Sequence, residues 1–243
     1  MYSLRQQEAI LKKAQANCFE IVVGECNGNS KRMLSLKQGE QFDRDFAYRS
    51  VHLFDVSDQQ LDNQIRVAQE AITLCNASIA VSHIMKVNGE YPLNPCERMI
   101  AAGVPLAMEN MDSRKDSGFL LADLVQIGRS LSCPFVLDVQ HAYEHDHSMA
   151  YAQDLFQHLQ EPLVHLHVSG QTPDNIHALV HKASNAKEIV EFVGYVLSRK
   201  VVPLILEGEY TNAGELSREI QFLKKELDSS ESVGWFLRQR QGN

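Results

Sequence analysis

Short apolar runs alternate along this chain with longer stretches whose apolar residues recur every three or four positions, and these two periods separate strands from helices. Within Ser3 to Ala16, Leu4, Leu11 and Ala14 share a helical face, and Cys18 to Val23 then reads as a strand. Ser50 to Phe54 is the second strand. Ser57-x-x-Gln60 has the form of a capping box ahead of Leu61, Ile65, Ala68, Ile72 and Cys75, which fall at helical spacing. Ala77 to Ile84 is the third strand, and Asn94-Pro95 opens a helix that Gly103 closes before the strand Val104 to Met108. Leu120, Leu124, Ile127 and Leu131 form one helical face ahead of the strand Pro134 to Leu137. A helix from about Ser148 places Ala152, Leu155, Phe156 and Leu159 inward and leads to the strand Leu163 to Val168. Asn185-x-x-Glu188 opens a helix burying Ile189, Phe192, Val193 and Val196, followed by the strand Val202 to Leu206. The last helix, Gly214 to Leu227, buries Leu216, Ile220, Leu223 and Leu227.

Seven short, nearly continuously apolar strands alternating with amphipathic helices predict an α/β fold, a parallel sheet wrapped by helices. An open dinucleotide-binding sheet would carry Gly-x-Gly-x-x-Gly after its first strand, and no such motif occurs. The polar candidates cluster instead at strand C-terminal ends, as in a parallel TIM-type barrel. Without a repeat, linker or low-complexity tract, residues 1–243 read as a single domain of ordinary barrel size.

Composition narrows the function classes. No apolar run approaches the roughly 18 residues of a membrane span, and Met1 to Lys13 lacks the pattern of a signal peptide, so a soluble protein is expected. The five cysteines are odd in number and never in a Cys-x-x-Cys pair, which points to reduced thiols and a cytoplasmic setting. A net charge of -8 discourages polyanion binding, so a small-molecule substrate is favoured over nucleic acid. Lys31, Arg32, Lys37, Arg44 and Arg49, within Gly24 to Ser50, read as a solvated loop rather than a phosphate grip.

The candidate chemistry sits at the strand ends. Asp138-Val-Gln-His141 offers a carboxylate and an imidazole from one strand end; Glu109 follows Pro105 to Met108, His165 lies in Leu163 to Val168, and Glu207 follows Val202 to Leu206. Singly, Glu109 or Glu207 would be a barrel carboxylate held by a lysine or arginine, and His141 a helix cap. Together, several inward charges at one barrel end would each cost several kcal/mol unless paired or metal-bound, so a shared divalent metal explains them better. His167 has the strand parity of His165 and also points inward; it is read as backing a metal ligand or touching substrate, and Lys86 as touching substrate.

The set Glu109-Asn110, Asp138-x-x-His141-Ala142, His165-Leu-His167 and Pro203-Leu-Ile-Leu-Glu207 resembles the xylose isomerase-like TIM barrel superfamily, over about residues 50–227. That superfamily includes sugar phosphate isomerases and epimerases and the endonuclease IV type of apurinic endonuclease (AP endonuclease family 2). The resemblance implies metal-binding roles for Glu109, Asp138, His141, His165 and Glu207. His52 and His83 match further zinc-binding histidines of the endonuclease branch, and Asp174 and His177 stand near its Asp-x-His pair with one extra residue between them. The chain departs from the family in beginning with a helix, so the family's first strand is missing; Ser232 to Leu237 is a candidate for the vacant place.

Two chemistries fit. In a sugar isomerase or epimerase, a metal stabilises an enediolate while two carboxylates, here Glu109 and Glu207, exchange the proton. In a zinc phosphodiesterase, two or three ions activate water, and His52, His83 and His177 supply the added ligands. The charge balance favours the former, with one to three zinc or manganese ions expected. A non-catalytic barrel that binds metal or ligand is a third reading.

Overall fold

The computed structural model describes residues 4–23 and 46–229. Helix α1 (Leu4–Lys13) precedes strand β1 (Cys18–Val22), and β2 (Tyr48–His52), α2 (Leu61–Cys75), β3 (Ile79–His83), α3 (Leu93–Ala101) and β4 (Leu106–Glu109) follow. Then come α4 (Leu121–Leu131), β5 (Phe135–Asp138), a short α5 (Val139–His145), α6 (Ala150–Leu159) and β6 (Leu163–Val168). A hairpin of β7 (Gly170–Thr172) and β8 (Asn175–Ala178), α7 (Ala186–Leu197), β9 (Leu204–Leu206) and α8 (Ala213–Ser229) complete the described chain. Seven parallel strands pair in the order β1-β2-β3-β4-β5-β6-β9. No ladder joins β1 to β9 among the described residues, yet the Cys18 thiol donates to the Leu204 carbonyl at 3.4 Å, so the sheet is a nearly closed barrel.

Strand alternation sorts the side chains into two cores. Phe19, Val51, Leu106, Phe135, Leu137 and Leu166 face outward and are buried against Leu124, Leu155, Phe156 and Val193 of the helices. Inside the barrel, Val81, Ala107 and Val136 form an apolar layer with Ile79 and Val164 packed on it. Two residues further along the same faces stand His83, Glu109 and Asp138, so a polar mouth rests directly on an apolar plug.

Local detail departs from the sequence reading where a signal fell one turn away. Gln60, not Ser57, is the N-cap of α2, in left-handed conformation (φ 60°) and with no side-chain cap, because the helix starts at Leu61. Helix α3 begins at Leu93 after Pro92, so Pro95 falls within the first turn, where its missing N–H has no partner to lose. Helix α5 and the β7–β8 hairpin were not expected; both are too short to show a period. The segment Ser232 to Leu237 and most of the basic stretch 24–50 lie outside the described residues. Among the described residues no helix is long and apolar enough to cross a membrane.

Candidate active site

The Glu109-Asn110 pair shows how β4 and β5 are held together at the mouth. The Asn110 amide donates to the Asp138 carbonyl at 3.0 Å and its oxygen accepts from the Asp138 N–H at 2.9 Å. This side chain continues the ladder past its last backbone pair. Asp138 is in turn the N-cap of α5, its Oδ1 accepting from the His141 N–H at 2.7 Å. The Asp-x-x-His spacing is therefore that of an N-cap and its third helical residue, and the turn brings His141 back over the mouth. His141 Nδ1 donates to the Asn110 carbonyl at 2.9 Å, which assigns its Nε2 to the cavity it lines.

Glu109, Asp138, His167 and Glu207 each present a ligand atom, all within 4.8 Å of one another. Glu109 Oε1 and Glu207 Oε1 lie 3.1 and 3.0 Å from His167 Nδ1. Asp138 Oδ2 is buried without a hydrogen-bond partner. Three carboxylates and one imidazole, one oxygen of them orphaned, suit a hard to borderline divalent ion such as manganese or zinc. The residues present thus fit such an ion.

His165, expected as a ligand, does not join this group. Asp138 is in register with His167, whereas His165 pairs with Val136, one layer down in the plug. There its Nδ1 meets the Tyr48 hydroxyl at 2.6 Å and its Nε2 meets His167 Nε2 at 3.0 Å. Parity placed both rings inside; depth decides between them.

His52 and His83 form a second group with Glu109. His52 Nε2 lies 3.0 Å and His83 Nε2 3.4 Å from Glu109 Oε2, so the Glu109 carboxylate stands between the two clusters. His177 lines the cavity from β8, with Nδ1 3.2 Å from the Ser169 hydroxyl. Asp174 is exposed at the hairpin turn and takes no part. Lys86, expected to touch substrate, is instead drawn to Asp123 at 3.7 Å and lies over the Tyr91 ring; Arg114 and Lys115 line the cavity in its place. Arg114 is fastened by two bonds to Asp112, at 3.0 and 2.8 Å.

The residue the sequence reading missed is Glu20, inside β1. Its side chain is 4% exposed and its Oε1 lies 3.1 Å from His167 Nε2. The signal available was a carboxylate in the middle of the apolar run Cys18 to Val23. Glu20, His52 and His167 make a third group with metal-ligating spacing.

Electrostatics follow from this crowding. Burial raises the Glu20 carboxyl, but the charges of His167, His52 and His165 and a hydrogen bond from His167 outweigh it and hold Glu20 at about 2. For Glu109, burial is likewise overcome by His167 and His83, leaving it well below the usual carboxylate range. Glu207 goes the other way: burial and the negative Asp138, Glu109 and Glu20 push it well up against the pull of His167. Burial lowers His83, yet Glu109 and Asp55 lift it to about 10. Burial and the neighbouring His167 depress His165 to about 3. The site opens into a cavity of about 400 Å³.

No protein-family model matches the chain, and no curated protein matches it in sequence. Solved structures do match. A D-tagatose 3-epimerase-like protein superposes with a TM-score of 0.67 at 16% identity, over 97% of this chain and 96% of that one. An L-ribulose 3-epimerase gives 0.67 at 11% identity, over 98% and 91%. A xylose isomerase domain-containing protein from Salmonella typhimurium gives 0.64 at 11% identity, over 93% of each chain. The chain therefore has the xylose isomerase-like TIM-barrel fold.

Proposed function

We propose that this protein is a metal-dependent isomerase or epimerase of a small sugar or sugar phosphate, with Glu109 and Glu207 exchanging a carbon-bound substrate proton. The observation that carries the proposal is the approach of these two carboxylates to one point, His167 Nδ1, from strands separated in the sheet by β5 and β6. Two carboxylates reaching a substrate from different sides are what removal and return of a proton at one carbon, or between neighbouring carbons, requires. The cavity of about 400 Å³ suits a sugar rather than a polymer. Two of the solved structures with this fold are described as an L-ribulose 3-epimerase and a D-tagatose 3-epimerase-like protein.

Glu109, Asp138, Glu207 and His167 through Nδ1 would hold the ion, which when bound supplies Lewis acidity to neighbouring substrate oxygens. Around it, the chain's own groups divide the work. His52 and His83 donate toward Glu109 and keep that carboxylate ionised as the base. Glu207, 23% exposed, can take up and return a proton at the cavity wall. His141 and His177 face the same space and orient hydroxyl groups. Among the described residues, Cys18, Cys75, Cys96 and Cys133 are free thiols, which accords with the cytoplasmic setting included in this proposal.

The test is incubation of the metal-loaded protein with a panel of ketoses, aldoses and their phosphates in deuterated water. Solvent deuterium should enter the substrate carbon skeleton, and Glu109→Gln or Glu207→Gln should reduce that exchange at least a hundredfold. A second reading, a polynuclear phosphodiesterase, is favoured by one observation: His52 and His83 share Glu109 with the first group. Two or three tightly bound zinc ions, metal-dependent cleavage of abasic DNA and no sugar exchange would establish it instead.

A further inference from the structure

We infer that Glu20 is a positioning residue: its carboxylate accepts the Nε2 proton of His167 and so holds that ring with Nδ1 directed toward Glu109, Asp138 and Glu207. The inference rests on the metal reading given above. It explains a buried carboxylate that nothing in the proton transfer uses, for Glu20 does not line the cavity. A carboxylate only 4% exposed in a strand interior costs several kcal/mol unless its environment compensates it, yet the groups facing it are imidazoles, not a lysine or arginine. One oxygen meets His167 Nε2 at 3.1 Å; the other is without a hydrogen-bond partner.

An imidazole that ligates a metal through Nδ1 keeps its one N–H on Nε2, and buried there it needs an acceptor. Glu20 is that acceptor, at 3.1 Å, while Nδ1 stands 3.1 and 3.0 Å from Glu109 and Glu207. The ring is thus held between carboxylates at both nitrogens, which fixes its direction across the mouth. The His165 ring closes the same end, its Nε2 3.0 Å from His167 Nε2 and its Nδ1 2.6 Å from the Tyr48 hydroxyl. Partners of this kind on the far nitrogen of a ligating histidine commonly change metal affinity about 10–100-fold.

The experiment compares wild type, Glu20→Gln and Glu20→Leu in two measurements. One is the zinc and manganese affinity from chelator competition. The other is the proton shift of the His167 Nε2–H in metal-free protein, assigned with nitrogen-15 labelling and His167→Gln. Wild type should show it far downfield, as for an N–H bonded to a carboxylate. Glu20→Leu should lose about 10–100-fold in affinity and move that resonance upfield, and Glu20→Gln, whose amide oxygen still accepts, should recover part of both. Wild-type affinity and an unchanged Nε2–H shift in Glu20→Leu overturn the inference; if that variant does not fold, the same result in Glu20→Gln does so. Failure of wild type to bind either ion overturns the metal reading instead, and the Nε2–H shift, measured without metal, still decides whether Glu20 holds the ring.

Discussion

Asp138 divides its two carboxylate oxygens between backbone and site, Oδ1 capping α5 and Oδ2 lying buried and unpartnered at the mouth. The two tasks can be separated by substitution. In Asp138→Asn the amide oxygen still accepts from the His141 N–H, so stability in chelator should stay within about 1 kcal/mol of wild type, while metal affinity falls at least tenfold. Asp138→Ala loses the cap as well and should cost about 1 kcal/mol more. Urea denaturation and chelator competition on the two variants check both parts; equal metal affinity in Asp138→Asn and wild type would remove Asp138 from the ligand set. The sequence showed the carboxylate and the spacing, but not that one residue serves helix and site together. The Asp138 backbone is itself held by Asn110, reaching across from β4.

At the scale of elements, the β7–β8 hairpin carries His177 to the cavity, and its position depends on Gly208 just after Glu207. A Cβ there would stand 2.8 Å from Leu179 Cα and 2.9 Å from the Ala178 carbonyl, and both are backbone atoms that cannot move aside by a rotamer change. The same contact is tied by the Glu209 N–H donating to the His177 carbonyl at 2.9 Å. Gly208→Ala should therefore cost about 1–3 kcal/mol by overpacking. It should also shift the His177 ring resonance; a variant as stable as wild type, with His177 unmoved, would show that the hairpin is not held at this point. The long helices and apolar strands were legible because each is periodic over its own length. The hairpin was not, since its three- and four-residue strands are placed by contacts with Gly208, Glu209 and the segment Val180 to Lys182 rather than by their own pattern.

For the whole molecule, the barrel interior concentrates ionisable groups above an apolar plug, so metal-free stability must depend on pH. His83 is raised from its ordinary 6.5 to about 10 by Glu109 and Asp55 against the opposing effect of burial. A group raised in the folded state binds its proton more tightly there, so its contribution is complete below about pH 6.5 and is lost as pH rises through about 10. In chelator, the urea midpoint of wild type should fall between pH 7 and 10. It should fall less in His83→Gln, which begins less stable but has no such proton to lose. Parallel pH curves for the two proteins would show that His83 is not held protonated by Glu109 and Asp55. With metal bound, Glu109 is engaged by the ion and the alkaline fall should shrink in wild type too.

The sequence by itself determined the alternation of seven strands and their helices, and the arrival of Glu109, Asp138 and Glu207 at strand C-terminal ends. These are local properties, since a period and a position relative to a strand end can be read within one segment. Only the tertiary structure decided that His167 rather than His165 stands level with Asp138, because depth in a barrel depends on the register between β5 and β6 and on the irregularity between Phe135 and Val136. It likewise decided that Glu20 reaches His167, nearly the whole described barrel away in sequence, and that Lys86 turns to Asp123 while Arg114 and Lys115 line the cavity. Each of these outcomes depends on which distant strand or loop closes beside which, and a barrel settles that only when its sheet curls round.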